Sequence, residues 1–338
     1  MQKNNLIRGR ILAASGNQLV LARGAVLFRS SNGGKSWCRW LVLPIGRLRR
    51  MAMRIPLVAR LLRLGIHHLV LHEDKALIIA NKESFLCVDN DVIQIGPLQG
   101  SRPMALCGAE GHFYYGEYRS NPERSPVHIY RLDLNANKWR PVWIFKDVRH
   151  VHGVFYDPYA KAFWVTTGDN NEEAAIWRTD DQFRSIRKVI GGSQQFRAVQ
   201  LLFTPDFVYF GSDTPHEPNH LYRIDRSGSG LEKLALVGES VFYGCKVGKR
   251  LFFSTALEPS KINNHSYAEV WQSDDGLNWQ KILRFRKDWL PMKYFQYGQV
   301  LFPNFYGDKN ELLYCTPFAA GAHGKTIFVK LESSQVAN

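Results

Sequence analysis

The stretch SSNGGKSW, residues 30–37, follows an apolar run and has the composition of a hairpin turn, with two adjacent glycines at the bend. A near copy, QSDDGLNW, occupies residues 272–279. Both copies stand between apolar, strand-like stretches. A turn that recurs so far along the chain indicates a repeated structural unit, so the flanking strands are expected to recur with it.

Four consecutive units of strand-like sequence recur about every 45 residues, which is the spacing of four-stranded propeller blades. Their second strands read HFYYGEY, AFWVTTGD, FVYFGSD and RLFFSTALE, and each follows another apolar stretch. Counting outward gives seven units, and residues near 6–13 are expected to add a closing strand to the last one. We therefore predict a single all-β domain over residues 1–338, a seven-bladed β-propeller of four-stranded blades.

The two turns resemble the Asp-box, or BNR repeat, S-x-D-x-G-x-T-W, of sialidase-like propellers. The matching residues are Ser30, Gly34 and Trp37 in the first copy, and Asp274, Gly276 and Trp279 in the second. The departures are Asn32 in place of the Asp and Gln272 in place of the Ser. The resemblance implies that the box is a structural turn between the third and outermost strands of a blade, stabilised by its acidic side chain.

Weaker similarities to the box occur at residues 131–139 and 178–183. In such a propeller, box turns and the turns between first and second strands share one face of the disc. The other face, which we call the crossing face, carries the loops between second and third strands and the crossings to the next blade. In four consecutive blades these segments are long and rich in acids, histidines, amides and aromatics, so ligand binding is expected there.

The crossing-face segments supply two sets of candidate residues. The candidate catalytic residues are His150, His152, Glu117, Tyr118, Asp169, Asp213 and Glu258. The candidate substrate-binding residues are Arg124, Asn121, Gln195, Arg197, Asn219, Lys287, Tyr294 and Gln296. The four acids occupy equivalent positions in successive blades, and two carboxylates about 5–10 Å apart are what glycoside hydrolysis requires. In the alternative interpretation, each acid pairs with an Arg or Lys and forms a salt-bridged ring without catalysis.

The sequence RHVHG places His150 and His152 two residues apart, so their side chains would point the same way from a strand. The pair is similar to the one that oligogalacturonate lyase, another seven-bladed propeller, uses around a divalent metal ion. That similarity implies a third histidine, for which His220 is our candidate and His216 the alternative, and a fourth ligand, Gln195. Without a metal ion, one histidine is suited to act as a general base or acid while the other hydrogen-bonds a neighbouring loop.

The formal net charge of +14 favours an anionic partner. Residues 45–66, IGRLRRMAMRIPLVARLLRLGI, contain six Arg and no acid and are predicted to form a helical insertion between the first two blades. A basic amphipathic helix can lie on an anionic membrane surface or pack its apolar side on the propeller. Nucleic acid is not expected as a partner, because the rest of the chain has no nucleic-acid motif.

Five scattered cysteines without a CxxC pair are expected to be free thiols, and the first residues lack the apolar core of a signal peptide. We expect a cytoplasmic monomer, with peripheral contact to the inner membrane through residues 45–66 as a further hypothesis. The functional hypothesis is a carbohydrate-active enzyme, a lyase or a glycosidase, that acts on an acidic oligo- or polysaccharide. The alternative is a non-catalytic propeller that binds a glycan or a protein in polysaccharide assembly or export.

Overall fold

The computed structural model describes residues 6–260, 266–307 and 309–331. Within these ranges the chain is all-β, and its sheets are arranged as the seven blades of a β-propeller, which confirms the predicted fold class. In each blade the strands pair antiparallel in order, from a first strand that lines the central channel to an outermost fourth strand. None of the helices among the described residues is long and apolar enough to cross a membrane.

Strand β1 (Leu6–Arg8) belongs to the last blade, and the other strands follow in chain order. The first blade contains β2 (Arg10–Ser15), β3 (Gln18–Arg23), β4 (Val26–Ser30) and β5 (Cys38–Val42). The second contains β6 (Ile66–His72), β7 (Lys75–Ala80), β8 (Glu83–Val88) and β9 (Asp91–Pro97). The third contains β10 (Leu106–Ala109), β11 (His112–Gly116), β12 (Val127–Asp133) and β13 (Lys138–Phe145).

The fourth blade contains β14 (His150–Asp157), β15 (Ala162–Gly168), β16 (Ala175–Thr179) and β17 (Arg187–Gly191). The fifth contains β18 (Ala198–Phe203), β19 (Val208–Ser212), β20 (His220–Ile224) and β21 (Glu232–Leu236). The sixth contains β22 (Ser240–Val247), β23 (Arg250–Ala256), β24 (Tyr267–Ser273) and β25 (Gln280–Arg286). The seventh contains β26 (Gln299–Leu301), β28 (Leu312–Phe318) and β29 (Lys325–Lys330), and the short β27 (Asn304–Phe305) pairs with β2.

The ring of blades is closed by the N-terminal strand. β1 pairs antiparallel with β29, with Leu6 opposite Ile327 and Arg8 opposite Lys325. The side chain of Thr326 reinforces this contact, because its Oγ1 donates to the carbonyl of Gly9 at 2.9 Å. The predicted closing strand is therefore confirmed, and the outermost strand of the seventh blade comes from the opposite end of the chain.

Packing between blades forms the core. Strand β15 is buried at all seven positions, because neighbouring blades cover both faces of its sheet. Successive side chains point to opposite faces, so Phe163 packs on Tyr114 of the third blade while Trp164 packs on Phe203 of the fifth. The ring centroids of these two pairs are 4.6 and 6.0 Å apart. A strand that is buried on both faces appears in the sequence as a continuous apolar run, and these runs make the repeats recognisable.

The box turns are held by side-chain hydrogen bonds. In the first, Ser30 Oγ accepts the N–H of Gly34 at 2.9 Å, and Asn32 Oδ1 accepts the N–H of Ser36 at 2.9 Å. The weaker similarity near residues 178–183 has the same arrangement. There, Thr179 Oγ1 accepts the N–H of Phe183 at 3.1 Å, and Asp181 Oδ1 accepts that of Ser185 at 2.9 Å.

The second box is shifted by one residue from its sequence alignment. Ser273 Oγ accepts the N–H of Gly276 at 2.8 Å, and Asp275 Oδ1 accepts the N–H groups of Leu277 and Asn278, each at 2.8 Å. Ser273 and Asp275 therefore have the roles that the alignment gave to Gln272 and Asp274. The assignment of Asp274 as the box acid was wrong, because a turn one residue shorter places the next acid over the backbone.

Residues 45–66 connect the first and second blades and contain two short helices, α1 (Arg47–Ala52) and α2 (Pro56–Leu61). A third, α3 (Met292–Phe295), lies in the connection between the sixth and seventh blades. A 3-10 turn, Gln194–Phe196, precedes β18. All of these segments are crossings between blades, so they lie on the crossing face.

The register of the second box can be tested by mutation. We predict that Asp275→Ala lowers the free energy of unfolding by about 1–2 kcal/mol, because it removes the acceptor of two backbone N–H groups. Asp274→Ala is the matched control, since Asp274 contacts only the side chains of Gln272 and Arg250 in its described hydrogen bonds, and should change the value by less than about 0.5 kcal/mol. Urea unfolding measures both, and a larger loss for Asp274→Ala would contradict the observed register.

Candidate functional site

Five side chains of the fourth and fifth blades meet on the crossing face, and we call them the crossing-face cluster. They are His150 and His152 of β14, Asp169 after β15, Arg197 before β18 and Asp213 after β19. These positions are the crossing-face ends of inner strands in two consecutive blades, so the blade repeat brings them together. Gly168 leaves the necessary room, since a Cβ there would lie 3.1 Å from His152 and 3.2 Å from Arg197.

The hydrogen bonds of the two imidazoles determine which nitrogen carries hydrogen. His150 Nδ1 lies 3.1 Å from the carbonyl oxygen of Arg119, and His152 Nδ1 lies 3.0 Å from that of Ala198. A carbonyl oxygen only accepts, so both Nδ1 atoms donate. The two Nε2 atoms then face each other at 3.1 Å. Burial lowers the pKa of His152 to about 4, so this ring is neutral at pH 7 and its Nε2 carries a lone pair.

Asp169 places a carboxylate oxygen against both imidazoles. Its Oδ1 lies 3.3 Å from His150 Nε2 and 3.4 Å from His152 Nε2, so three electron-pair donors converge on one point. Its Oδ2 accepts a hydrogen bond from Arg149 Nη1 at 2.9 Å. Burial opposes ionisation, but a proton shared with the facing imidazoles, together with the charge of Arg197, holds the pKa of Asp169 well below its usual range. The convergence requires an added positive charge, either a proton or a metal ion.

Arg197 lies between two carboxyl groups. Its Nη2 is 3.3 Å from Asp169 Oδ1 and 3.4 Å from Asp213 Oδ2. Burial raises the pKa of Asp213 well above its usual range, although the guanidinium opposes this effect. The two acids on either side of Arg197 therefore differ in their tendency to ionise, which is the pattern of acid and base pairs in active sites.

Three carboxyl oxygens near this cluster are buried and accept no hydrogen bond from the described residues. They are Asp213 Oδ1, Glu258 Oε2 and Asp169 Oδ1, whose contacts with Arg197 and the two imidazoles, at 3.3–3.4 Å, are ion-pair contacts without hydrogen-bond geometry. A buried acceptor without a donor costs about 1–3 kcal/mol, so several such atoms in one region need an explanation. The Nε atoms of Arg149 and Arg197 are likewise buried without an acceptor in the part of the chain that the structure describes, so the unsatisfied groups fit a ligand that has both donors and acceptors, or a cation at the oxygens.

Two tyrosines border the cluster. The ring of Tyr118 lies 4.3 Å from that of His150 between centroids. Burial, and then the charges of Asp169, Asp213 and Glu258, raise the pKa of Tyr118 to about 12, so its hydroxyl keeps its proton. Tyr297 precedes the seventh blade, and burial together with the nearby charge of Glu258 raises its pKa far above the usual range.

Glu117, predicted as catalytic, lies directly after β11 but has its own partners. Its carboxylate pairs with Arg119 at 2.7 Å and with the ring of His128 at 3.1 Å. This side chain corresponds to the salt-bridged alternative and is not in contact with the histidine pair in the described interactions.

Three predicted substrate-binding residues stabilise loops, either their own or that of the next blade. Asn121 and Asn219 are buried and hydrogen-bond the backbone of the segments that contain them. Arg124 pairs with Glu173 at 2.6 Å. Their sequence signal, polar residues in long loops, is the same for structural and functional side chains.

Three further predicted residues belong to a different contact, between α2 and the segment around α3. Lys287 Nζ pairs with Asp288 at 2.5 Å, and the Gln296 amide donates to the carbonyl of Arg60 at 3.3 Å. Tyr294 is exposed. The structure therefore separates Lys287, Tyr294 and Gln296 from the crossing-face cluster.

The grouping of metal-type ligands among the described residues differs from the predicted set. It consists of His150, His152 and Asp169, whereas the ring of His220 hydrogen-bonds a carbonyl of its own loop and His216 is exposed. Gln195 lies in the 3-10 turn, beside the cluster. Two residues of the site, Arg149 and Gln194, were not predicted, although each is a chain neighbour of a predicted residue. Arg149 pairs with Asp169, and the amide of Gln194 donates to the carbonyl of Asp169 at 2.8 Å.

The channel contains a second polar feature that the sequence analysis missed. A cavity of about 390 Å³ has Arg10, Lys246, His67 and His68 in its lining and no Asp or Glu among its described residues. Arg102 lies beside it and contacts the ring of His67 at 2.9 Å. Burial lowers the pKa of Arg10 to about 10 and that of His68 to about 4, so the arginine is charged and the histidine neutral at pH 7. These residues come from distant parts of the chain: Arg10 begins β2, His67 and His68 are near the start of β6, Arg102 precedes β10, and Lys246 is near the end of β22. Residues so far apart form no sequence pattern.

The distances within the histidine–aspartate group fit a divalent metal ion. An ion bound at about 2.0–2.2 Å places adjacent ligand atoms roughly 3.0–3.5 Å apart. The observed separations are 3.1, 3.3 and 3.4 Å. Two histidines and one carboxylate with further positions open form the ligand set of catalytic metal sites, and each Nδ1–H already has the backbone partner that orients such a ligand.

No protein-family model and no curated protein matches the chain. Among solved structures it is similar to YCF48 bound to D1 peptide, with a TM-score of 0.57 and 12% identity over 98% of this chain and 99% of that one. It is also similar to a chain of the mitotic checkpoint complex, with a TM-score of 0.56 and 9% identity over 98% of this chain and 90% of that one. At these identities the similarity shows the β-propeller fold alone.

The converging lone pairs can be tested by nuclear magnetic resonance. We predict that His150 and His152 both carry hydrogen on Nδ1 in the metal-free protein at about pH 8, because each Nδ1 donates to a carbonyl. Long-range proton–nitrogen correlation on isotope-labelled histidine measures this, with His150→Gln and His152→Gln assigning the signals. The exposed His216 is the control and should show both the Nδ1–H and the Nε2–H tautomer. An Nε2–H tautomer whose Nδ1 carries no hydrogen, in either buried ring, would contradict the interpretation.

Proposed function

We propose that the protein is a carbohydrate-active enzyme, a lyase or a glycosidase, whose active site is the crossing-face cluster. The observation that carries this proposal is the group of buried carboxyl oxygens whose hydrogen bonds the described residues do not satisfy, beside the aromatic ring of Tyr118. Sugar hydroxyls are donors that such acceptors bind, and the apolar face of a sugar packs on an aromatic ring. A saccharide would satisfy both features at once.

The charge distribution supports an acidic saccharide. The chain has a formal net charge of +14, and the channel below the site contains Arg10 and Lys246 with no acid among the described lining residues. Arginine and lysine bind carboxylates through charge-assisted hydrogen bonds. An anionic chain extending from the cluster toward the channel would therefore meet positive charge.

Two reactions are compatible with the cluster. For hydrolysis, Asp169 and Asp213 both contact Nη2 of Arg197, at 3.3 and 3.4 Å. The separation of the two contacting oxygens cannot exceed the sum of these two distances, and this limit is compatible with the roughly 5–5.5 Å of a retaining pair. For elimination, the neutral ring of His152 accepts the proton next to a uronate carboxylate, the carbon–oxygen bond breaks to give a double bond, and Tyr118 donates a proton to the departing oxygen. The two reactions differ in their products.

As the alternative to these acid–base roles, we propose that His150, His152 and Asp169 hold a divalent metal ion, with Asp169 in the place that the sequence analysis gave to His220. With the ion bound, His152 and Asp169 are ligands and do not transfer the proton in the reactions above. When bound, such an ion supplies positive charge against the carboxylate of an acidic substrate. Arg197 Nη2 lies 3.3 Å from the same oxygen of Asp169, so the guanidinium and the ion would share that oxygen.

The second candidate is a non-catalytic propeller that binds a glycan or a protein. It is favoured by the ion pairs of Glu117, Asp169 and Asp213, each of which already contacts an arginine. In that case the arginines would set the shape of the binding surface, and no bond of the ligand would be broken. A cytoplasmic location and a monomeric state remain predictions for both candidates.

We predict that the purified protein releases unsaturated uronate or new reducing ends from one member of a panel of uronic-acid polysaccharides. Asp169→Asn and His152→Ala should each lower the rate by at least about a hundredfold, since both groups contact the proposed reacting site. Asp206→Asn is the matched control, because Asp206 is exposed in the short turn between β18 and β19 on the box face.

Thermal unfolding of every variant separates loss of activity from loss of fold. Saccharide binding without product formation by the wild type would support the second candidate. Neither binding nor product from any saccharide in the panel would contradict the proposed function.

We predict that the chelator-treated protein binds one equivalent of Mn²⁺ or Zn²⁺ in isothermal titration calorimetry. Asp169→Asn and His150→Ala should weaken binding by at least tenfold, because each removes a ligand. His220→Ala is the control and should leave the affinity unchanged. Loss of binding in His220→Ala alone would support the ligand set predicted from sequence, which includes His220. No binding by the wild type would exclude the metal ion.

A further inference from the structure

Exposed apolar side chains are concentrated on two segments of the crossing face. Among the described residues, nine of the sixteen exposed large hydrophobic side chains lie within residues 48–62 and 289–294. We call these nine the docking surface; they are Leu48, Met51, Ile55, Leu57, Leu61, Leu62, Trp289, Met292 and Tyr294. A concentration of this kind marks an interaction site, whereas single exposed apolar residues elsewhere need no explanation.

The exposure of these side chains shows that the apolar face around α1, which contains Leu48, Met51 and Ile55, does not pack on the propeller, in contrast to one of the two interpretations of residues 45–66. Packing on the propeller would have buried the apolar side of the insertion, but Leu48 is 84% exposed and Met51 is 62% exposed. The insertion buries Ile45, Met53 and Ile66 in the core between the first two blades and, separately, the side chain of Arg60. Trp289, on the other segment, is 89% exposed, which is unusual for the largest apolar side chain.

The two segments are joined by a buried arginine. Arg60 of α2 pairs with Asp288 at 2.5 Å and donates to the carbonyl of Phe295 at 2.6 Å. The amide of Gln296 donates back to the carbonyl of Arg60 at 3.3 Å. The contact fixes α2 against α3 across more than two hundred residues of sequence, so the nine side chains belong to one surface.

The charge of this surface is positive. Residues 45–66 contain no acid, and apart from the internal Arg60 their cations are Arg47, Arg49, Arg50, Arg54 and Arg63. Lys293 adds a further cation beside Trp289. Asp288 is the one acid of the second segment, residues 287–298, and both Arg60 and Lys287 contact it. The apolar side chains are therefore surrounded by cations whose charge is not balanced within the two segments.

We propose that the docking surface binds the protein peripherally to an anionic lipid bilayer. Leucine, methionine and isoleucine side chains would enter the boundary between headgroups and acyl chains, where tryptophan and tyrosine are also favoured. The arginines would contact anionic headgroups, each contributing an attraction that salt screens. A second copy of the chain is a poor occupant, because a symmetric contact would bring like charges together.

The test is sedimentation of the full chain with vesicles. At low salt the protein should bind vesicles of phosphatidylcholine with about a third phosphatidylglycerol, and binding should fall steeply at high salt and with phosphatidylcholine alone. Arg47→Gln/Arg50→Gln/Arg54→Gln should weaken binding on the order of a hundredfold. The matched control is Arg39→Gln/Arg184→Gln/Arg187→Gln, three exposed arginines of other parts of the propeller, which should bind like the wild type.

Fluorescence reports the apolar part of the contact independently. Vesicles that contain brominated lipid should quench the wild type, and the quenching should be largely lost in Trp289→Phe while that variant still sediments with vesicles. Leu48→Ser/Leu57→Ser should weaken binding, whereas Leu236→Ser, an equally exposed leucine of β21, should not.

Three results would overturn the proposal. One is the absence of binding to anionic vesicles at low salt. Another is an equal loss of vesicle binding in the two arginine triple variants, which would show that binding depends on the net charge of the protein and not on this surface. The third is a dimer in analytical ultracentrifugation that Leu48→Ser/Leu57→Ser dissociates, which would make the surface a protein interface.

Discussion

A single partly buried carboxylate, Asp169, organises the crossing-face cluster. One of its oxygens accepts a hydrogen bond from Arg149, and the other faces Arg197 and the two imidazoles of His150 and His152. An ionised group that is largely removed from water is stable only beside compensating charge, and removal of a partner leaves the remaining charges uncompensated. The positions of two arginines and two histidines therefore depend on this acid, and the acid depends on them.

The neighbouring blades determine the orientation of the histidines. Both rings belong to the fourth blade, but the carbonyl that binds His150 belongs to Arg119 of the third blade and the one that binds His152 to Ala198 of the fifth. Each imidazole thus has its Nδ1 occupied by a different neighbour, and both Nε2 atoms are directed at the same point. Because blade packing fixes those carbonyls, the geometry of the site follows from the geometry of the ring.

The repeat made the fold and the general location of the site predictable. Strands buried on both faces produce apolar runs, and their 45-residue spacing reflects the blade. The repeat also placed Glu117 and Asp169 at equivalent positions, yet Arg119 and His128 engage the first while the histidine pair contacts the second. A periodic sequence gives the position of a side chain within its blade, but its partner is chosen by contacts between blades.

The segment around α3 gives the clearest example of that limit. Sequence placed Lys287, Tyr294 and Gln296 on the correct face, but Arg60, more than two hundred residues away, engages that segment in a contact of its own. No local pattern links an arginine within a basic helix to an aspartate in a distant loop. The same contact joins Trp289 to the insertion, so the surface that sequence confined to residues 45–66 extends across two connections.

The crossing between the sixth and seventh blades connects that surface with the site. Trp289 at its beginning is exposed, while Tyr297 at its end lies in the electrostatic environment of Glu258 and Asp213. Both are on the crossing face, which also carries the crossing-face cluster. If the docking surface binds a bilayer, the cluster is directed toward the lipid, and a long soluble polymer would have to enter between the membrane and the protein. A saccharide attached to a lipid reaches the cluster from the membrane side without that obstacle, which makes a membrane-attached glycan the substrate class most compatible with both proposals.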